Sequence, residues 1–216
     1  MADRGLLLDI GGVVIRTPFE LLSATERRAG LPTRSLGGRG PFDEEGDGEF
    51  SQVAAGTLTE RAYWQRRAAA AAPHLGSAPD TRSLMLRLFD LPFDELLRSE
   101  TVALATRARE AGHPVGFLTN DLADFHGDEW LRTMPILDGG QHLVDGSITG
   151  YLKPHPKAYE LGAAALGLPP AQVVLLDDQP ANIHGARARG MDAVWFDVRD
   201  PEASVVAAWE ALTTSA

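Results

Sequence analysis

The sequence predicts an α/β fold, a doubly wound parallel sheet interrupted by an inserted helical domain. Three apolar runs carry this reading: Leu6-Leu7-Leu8, Val115-Gly116-Phe117-Leu118 and Val173-Val174-Leu175-Leu176. Continuous runs of this length suit strands covered on both faces. Each ends abruptly on polar residues, at Asp9, at Thr119-Asn120-Asp121 and at Asp177-Asp178-Gln179. Helical patterns alternate with the runs, as in doubly wound sheets. If the three strands are parallel neighbours, their polar ends converge on one edge, where open α/β sheets bind ligands.

Asp9 closes the first strand, and Gly11-Gly12 turns the chain before Val13-Val14. Phe19 to Ala29 has helical spacing and stops at Gly30 and Pro32. Leu31 to Gly48 is rich in Gly, Pro and acids and reads as an irregular loop. Thr57-Leu58-Thr59-Glu60 has capping-box spacing and opens a helix through Tyr63-Trp64, with the Ala68 to Ala72 run as its end. Asp80 to Leu91, stopped by Pro92, and Ser99 to Ala111, stopped by Gly112, complete four helices between the first and second strands. Phe50, Tyr63 and Trp64 are expected to fill the core of the inserted domain, taken as residues 18–94. The α/β core is then residues 1–17 and 95–216.

Beyond the second strand the pattern gives a helix, a turn at Gly139-Gly140 and a short strand near His142 to Val144. A helix from Pro156 to Leu166, the Val173 strand, a helix from Ala181 to Arg189, a strand from Ala193 to Phe196 and a closing helix from Pro201 to Leu212 follow.

The 216 residues are 44% hydrophobic and 23% charged, ordinary globular material long enough for one sizeable domain plus an insertion. Twenty basic against thirty acidic residues give a net charge of -10, which argues against a nucleic-acid partner. The absence of cysteine excludes disulfides, thiolate nucleophiles and Cys-ligated zinc, and fits a cytoplasmic protein. The N-terminal apolar stretch is broken by Asp9 and the glycines and reads as a strand, not a signal peptide. No run approaches the roughly twenty apolar residues of a membrane span, so no membrane partner is expected. Oligomeric state is not readable.

Carboxylates converging in a partly dehydrated cleft repel one another, and an oxygen-loving dication, Mg2+ by preference, relieves this. Asp9 and one of Asp177 or Asp178 are the candidate ligands, with backbone carbonyls of the glycine turn completing the shell. Lys153 adds a second positive charge, so that a phosphoryl group could be bound and neutralised. Thr119 and Asn120 supply donors for phosphate oxygens. Asp9 is then the group positioned to attack phosphorus, an established form of covalent catalysis.

Taken alone, each residue has a plainer role. Asp9 could cap the next turn, Thr119-Asn120 the following helix, and Lys153 could be a solvated loop lysine. Adjacent acids at the end of a buried strand are harder to explain without a cation. His142 and His184 are expected to be structural or exposed, since no paired His spacing for a metal occurs.

Four segments, Asp9-Ile10-Gly11-Gly12-Val13-Val14, Leu118-Thr119-Asn120, Lys153-Pro154 and Leu176-Asp177-Asp178-Gln179-Pro180-Ala181-Asn182, resemble in order the motifs of the haloacid dehalogenase (HAD) superfamily. Within it the likeness is to the phosphatase-like group that includes the N-terminal domain of soluble epoxide hydrolase and small sugar-phosphate phosphatases. The resemblance implies a Rossmann-like core with a helical cap and a Mg2+-dependent phosphatase of a small phosphorylated metabolite. It makes Asp9 the nucleophile, Thr119, Asn120 and Lys153 the phosphate holders, and Asp9, Asp178 and the Gly11 carbonyl the metal ligands. Asp177 and Asn182 then support the site.

One departure matters. Most phosphatases of that superfamily carry a second aspartate, an acid and base, two residues after the nucleophile, and here Gly11 stands there. Losing a positioned acid typically costs ~10²–10⁴-fold in rate. Asp121, His126 and His155 are candidate substitutes, and a leaving group such as an acyl or anomeric phosphate would need less help. Two alternatives remain beside the phosphatase: a metal-independent dehalogenase, and a non-catalytic member that binds a phosphorylated ligand or a partner protein.

Overall fold

The computed structural model describes residues 4–43, 45–127, 130, 133–140 and 142–214. The chain divides into two compact units, one formed by Met1–Arg16 and Phe93–Ala216 and the other by Thr17–Pro92.

The first unit is a five-stranded parallel sheet in the order β3-β2-β1-β4-β5. Its strands are β1 (Gly5–Leu8), β2 (Val115–Thr119), β3 (Leu143–Asp145), β4 (Val173–Asp177) and β5 (Asp192–Trp195). β1, β2 and β4 are buried at every position, which is why they read as unbroken apolar runs rather than as alternating ones. The short strand expected near His142 to Val144 lies one residue later.

Side chains alternate along the strands. One set, including Leu7, Leu118, Val144, Leu175 and Ala193, packs under α9 (Pro156–Ala165) and α10 (Pro180–Ala188). On the other side lie α6 (Ser99–Glu110) and α11 (Pro201–Thr213). Close approach of α9 to β1 depends on Gly162, where a Cβ would fall 2.7 Å from a Leu7 methyl. Within this unit α5 (Phe93–Leu96), α7 (Leu122–His126) and α8 (Gly146–Thr149) are short helices beside the strand ends.

The second unit holds α1 (Pro18–Arg28), α2 (Gly48–Ala54), α3 (Glu60–Leu75) and α4 (Thr81–Leu88). Thr17 and Glu20 form a reciprocal capping box on α1. Phe19, Phe50, Tyr63 and Trp64 make its aromatic core, Tyr63 and Trp64 being buried and Phe50 half-buried.

Two expectations need correction. Helices α2 and α5 also form, so four helices between the first two strands is an undercount. α2 escapes notice because its seven residues bury no side chain and it starts from a tertiary arrangement around Asp47. The Ala68 to Ala72 run lies inside α3, which continues through Pro73 to a left-handed Gly76. The Leu31 to Gly48 segment is the irregular loop expected, and two buried carboxylates organise it. Glu26 accepts from Arg34 N–H, Leu36 N–H and the Arg39 guanidinium, and Asp47 accepts from Gly40 N–H, Phe50 N–H and the Tyr63 hydroxyl. Glu44, within the acidic stretch Asp43 to Asp47, lies outside the described residues.

Candidate active site

Strand register assembles the site. Leu8 is level with Leu176 of β4 and with Phe117 of β2, so the next residue, Asp9, lies beside Asp177 and its amide donates to Leu176 O at 2.9 Å. Thr119 ends β2 on the same edge, buried and level with Asp145 of β3. The three polar strand ends therefore meet because their strands are adjacent and parallel.

Lys153 comes from no strand. It follows α8 in a loop, yet it is only 4% exposed, with Nζ 2.9 Å from Asp9 Oδ1 and 2.6 Å from Asp177 Oδ2. Asn120 places it: the Asn120 amide oxygen accepts from Lys153 N–H at 2.6 Å, and its Nδ2 donates to Lys153 O at 3.2 Å. Its side-chain amide is thus a brace for the lysine's main chain rather than a group aimed wholly at a ligand.

Asp177 is fully buried and heavily hydrogen-bonded. It accepts from Gln179 N–H at 2.9 Å, from Asn182 Nδ2 at 2.9 and 3.1 Å, and from Lys153. Asn182 is itself held by the Tyr159 hydroxyl, which donates to its carbonyl at 2.9 Å. Burial pushes that phenol up to about 12. Asp178 is half-buried, and its carbonyl takes the Trp195 indole N–H.

Asp9 accepts from Ile10 N–H at 2.7 Å through Oδ1, the oxygen that also faces Lys153. Burial pushes its carboxyl up to about 7 against the pull of Lys153, and the neighbouring Asp177 adds to the rise. Asp9, Asp177 and Asp178 each offer an oxygen within 4.8 Å of the others'. Three carboxylates gather beside one ammonium, and the candidate metal ligands are all oxygen. Both features fit a hard dication.

Position 11 is open. Gly11 is exposed, a Cβ there would meet no atom within 4 Å, and its φ is not in the left-handed region. Gly12 does require glycine-like backbone, at φ 76°. Of the candidate substitutes, Asp121 is exposed at the start of α7. His126 stacks on Trp130 at 4.1 Å between centroids, and burial pulls its imidazole down to about 4. His155 is exposed, and its Nδ1 accepts from Lys157 N–H as the cap of α9. His142 and His184 are exposed.

Residues with no sequence signal also shape the site. Arg98, buried at 2% exposure, donates from Nε to Gly12 O at 2.7 Å and from its main chain to Val14 O at 2.9 Å. Thr101 donates to Val13 O at 2.7 Å. Together they hold the turn that follows Asp9. Asp145 accepts from Ala123 N–H and from Ser147, tying the start of α7 to β3.

The family model for haloacid dehalogenase-like hydrolases matches residues 4–190. Among curated proteins the chain is 29% identical over 156 residues to a phosphoserine phosphatase of Thermus thermophilus, covering 69% of this chain and 60% of that protein. It is 31% identical over 114 residues to phosphatase MT3486 of Mycobacterium tuberculosis, covering 48% and 52%. A glyceraldehyde 3-phosphate phosphatase of Pyrococcus abyssi is 30% identical over 91 residues, covering 42% and 38%. The matches thus span about 40–60% of the relatives' own lengths.

Among solved structures, the HAD-hydrolase YfnB of Bacillus subtilis, bound to magnesium, superposes with a TM-score of 0.67 at 15% identity over 99% of this chain and all of that one. The L-2-haloacid dehalogenase of Xanthobacter autotrophicus gives 0.54 at 18% identity, over 89% and 76%. These likenesses concern the fold. With the family model covering most of its length, and the parallel sheet bringing Asp9, Thr119 and Asp177 to one edge where Lys153 meets them from a loop, the chain belongs to the haloacid dehalogenase-like hydrolases.

Proposed function

We propose that this protein is a Mg2+-dependent phosphatase of a small phosphorylated metabolite, acting through an aspartyl-phosphate on Asp9. The observation that carries the reading is the arrangement of Asp9 at the end of β1. Its Oδ1 is held by Ile10 N–H and Lys153, and the oxygens of Asp177 and Asp178 are close by. Oδ2 has no hydrogen bond among the described residues and is the oxygen that attacks. The phosphatases among its relatives support the same chemistry.

In this reading Lys153 orients the nucleophile and neutralises charge on the incoming phosphoryl oxygens, the Thr119 hydroxyl donates to one of those oxygens, and the brace from Asn120 keeps Lys153 in place. Asp9, Asp178 and the Gly11 carbonyl would hold the metal, with Asp177 and Asn182 supporting them from behind. The dication would supply charge neutralisation on the phosphoryl group and the carboxylates. The unit Thr17–Pro92 serves as the cap that selects substrate. No helix among the described residues is long and apolar enough to cross a membrane, and we place the protein in the cytoplasm.

The test is turnover of a phosphate-ester panel with Mg2+ and with chelator. Activity should require the metal and fall by at least ~10⁴-fold in Asp9→Asn, the scale on which nucleophile removal acts. Absence of turnover across the panel, or full activity of Asp9→Asn, would refute the proposal. Halide release from a haloacid in chelator would instead support the dehalogenase reading, which the acidic trio disfavours.

A further inference from the structure

We propose that the site prefers phosphoryl groups whose leaving group departs as a stabilised anion, acyl phosphates foremost, over phosphate esters of simple alcohols. This rests on the phosphatase reading above. An in-line displacement places the attacking and leaving oxygens on opposite sides of phosphorus. The donors that surround Asp9 are Ile10 N–H and Lys153, and both are bonded to the attacking carboxylate itself. Lys153 is further tied to Asp177. Neither can reach the leaving oxygen.

Position 11, where the resemblance would put the acid, has no side chain and opens to space. His155 is turned to its own helix, and His126 is stacked on Trp130. An alkoxide leaving group therefore departs without a positioned acid from these residues of the α/β unit, whereas a carboxylate needs none.

The steps balance without a proton on the leaving group. Asp9 Oδ2 forms a bond to phosphorus as the bond to the acyl oxygen breaks, and the carboxylate leaves with the electron pair. Water then attacks phosphorus, Asp9 leaves as a carboxylate, and the water's proton passes to a phosphate oxygen or to solvent. The second leaving group is always the Asp9 carboxylate, so substrate dependence resides in the first step.

The experiment measures kcat/KM of the full chain with Mg2+ on two substrate sets. One is acetyl phosphate against ethyl phosphate, which have similar size. The other is a series of para-substituted phenyl phosphates of falling leaving-group acidity. Asp9→Asn supplies the background for acetyl phosphate. Acetyl phosphate is expected to exceed ethyl phosphate by at least ~100-fold, the lower end of what an absent acid costs, and rates should fall steadily along the phenyl series. Gly11→Asp, which the open space accommodates, should flatten the series by lifting its slow end.

A level phenyl series in the parent protein would overturn the proposal, as would a series that Asp121→Asn makes much steeper, because an acid would then already be present. Should Gly11→Asp fail to fold, the parent series and Asp121→Asn still decide. No metal-dependent turnover of any of these substrates would refute the phosphatase reading itself, a different result from a level series.

Discussion

Asp9→Asn should make the metal-free protein more stable at neutral pH while destroying the proposed activity. Asp9 ordinarily titrates near 3.8, and burial moves it to about 7 in the folded protein. Below 3.8 both folded and unfolded chains carry the proton, and the charge has no effect on stability. Between 3.8 and 7 the unfolded chain has lost a proton that the folded chain keeps, so folding stability falls as pH rises. Above 7 the full cost of the buried charge is present, roughly 3 pKa units or up to ~4 kcal/mol.

Asparagine keeps the shape and an acceptor for Ile10 N–H and Lys153 without that charge. Urea unfolding in chelator should therefore show Asp9→Asn more stable by up to ~4 kcal/mol at pH 8, with the gain shrinking toward pH 4. Adding Mg2+ should stabilise the parent by mass action and leave the variant less affected. A variant no more stable than the parent at pH 8, or a gain that does not shrink in acid, would refute the argument that burial of the Asp9 charge dominates.

Lys153→Met removes the one ammonium between two buried carboxylates, and breaking such a pair should cost ~3–5 kcal/mol, measurable by urea unfolding in chelator, with kcat lowered when Mg2+ is present. Thr101→Val keeps the side-chain shape but leaves the Val13 carbonyl without its donor. That should cost ~1–3 kcal/mol, and a loss much below this would show the bond to be dispensable. His126 is held neutral by burial, with its pKa lowered to about 4. Its contribution is fully present above the unfolded value near 6.5 and is lost as pH falls from there toward 4. His126→Leu should therefore show a shallower loss of thermal stability than the parent across that interval, and parallel curves would contradict it.

Much of the α/β unit is legible in the sequence because parallel strands buried on both faces leave continuous apolar runs, and because helices end on local devices such as Gly112 and Gly190. The second unit is harder to read. Its loop is organised by Glu26 and Asp47, whose partners, apart from the Phe50 N–H that Asp47 caps, lie 7 to 16 residues away in the chain, a spacing that no periodic pattern records. Lys153 is recognisable by motif order, but its burial depends on Asn120, 33 residues earlier. Arg98 and Thr101 have no signal at all, since their partners at Gly12 and Val13 become neighbours only when α6 packs beside the turn.

By itself the sequence determined the strands, the carboxylates and amides at their ends, and the glycine at position 11, because those are properties of short segments. Tertiary structure alone decided that β1 lies between β2 and β4 in a register that sets Asp9 beside Asp177. It also decided that Lys153 reaches both carboxylates, and that the Asn120 side chain holds the lysine's backbone. The physical reason is range: hydrophobic period and capping act within a few residues, whereas register, desolvation and ion pairing act between segments that only packing brings together.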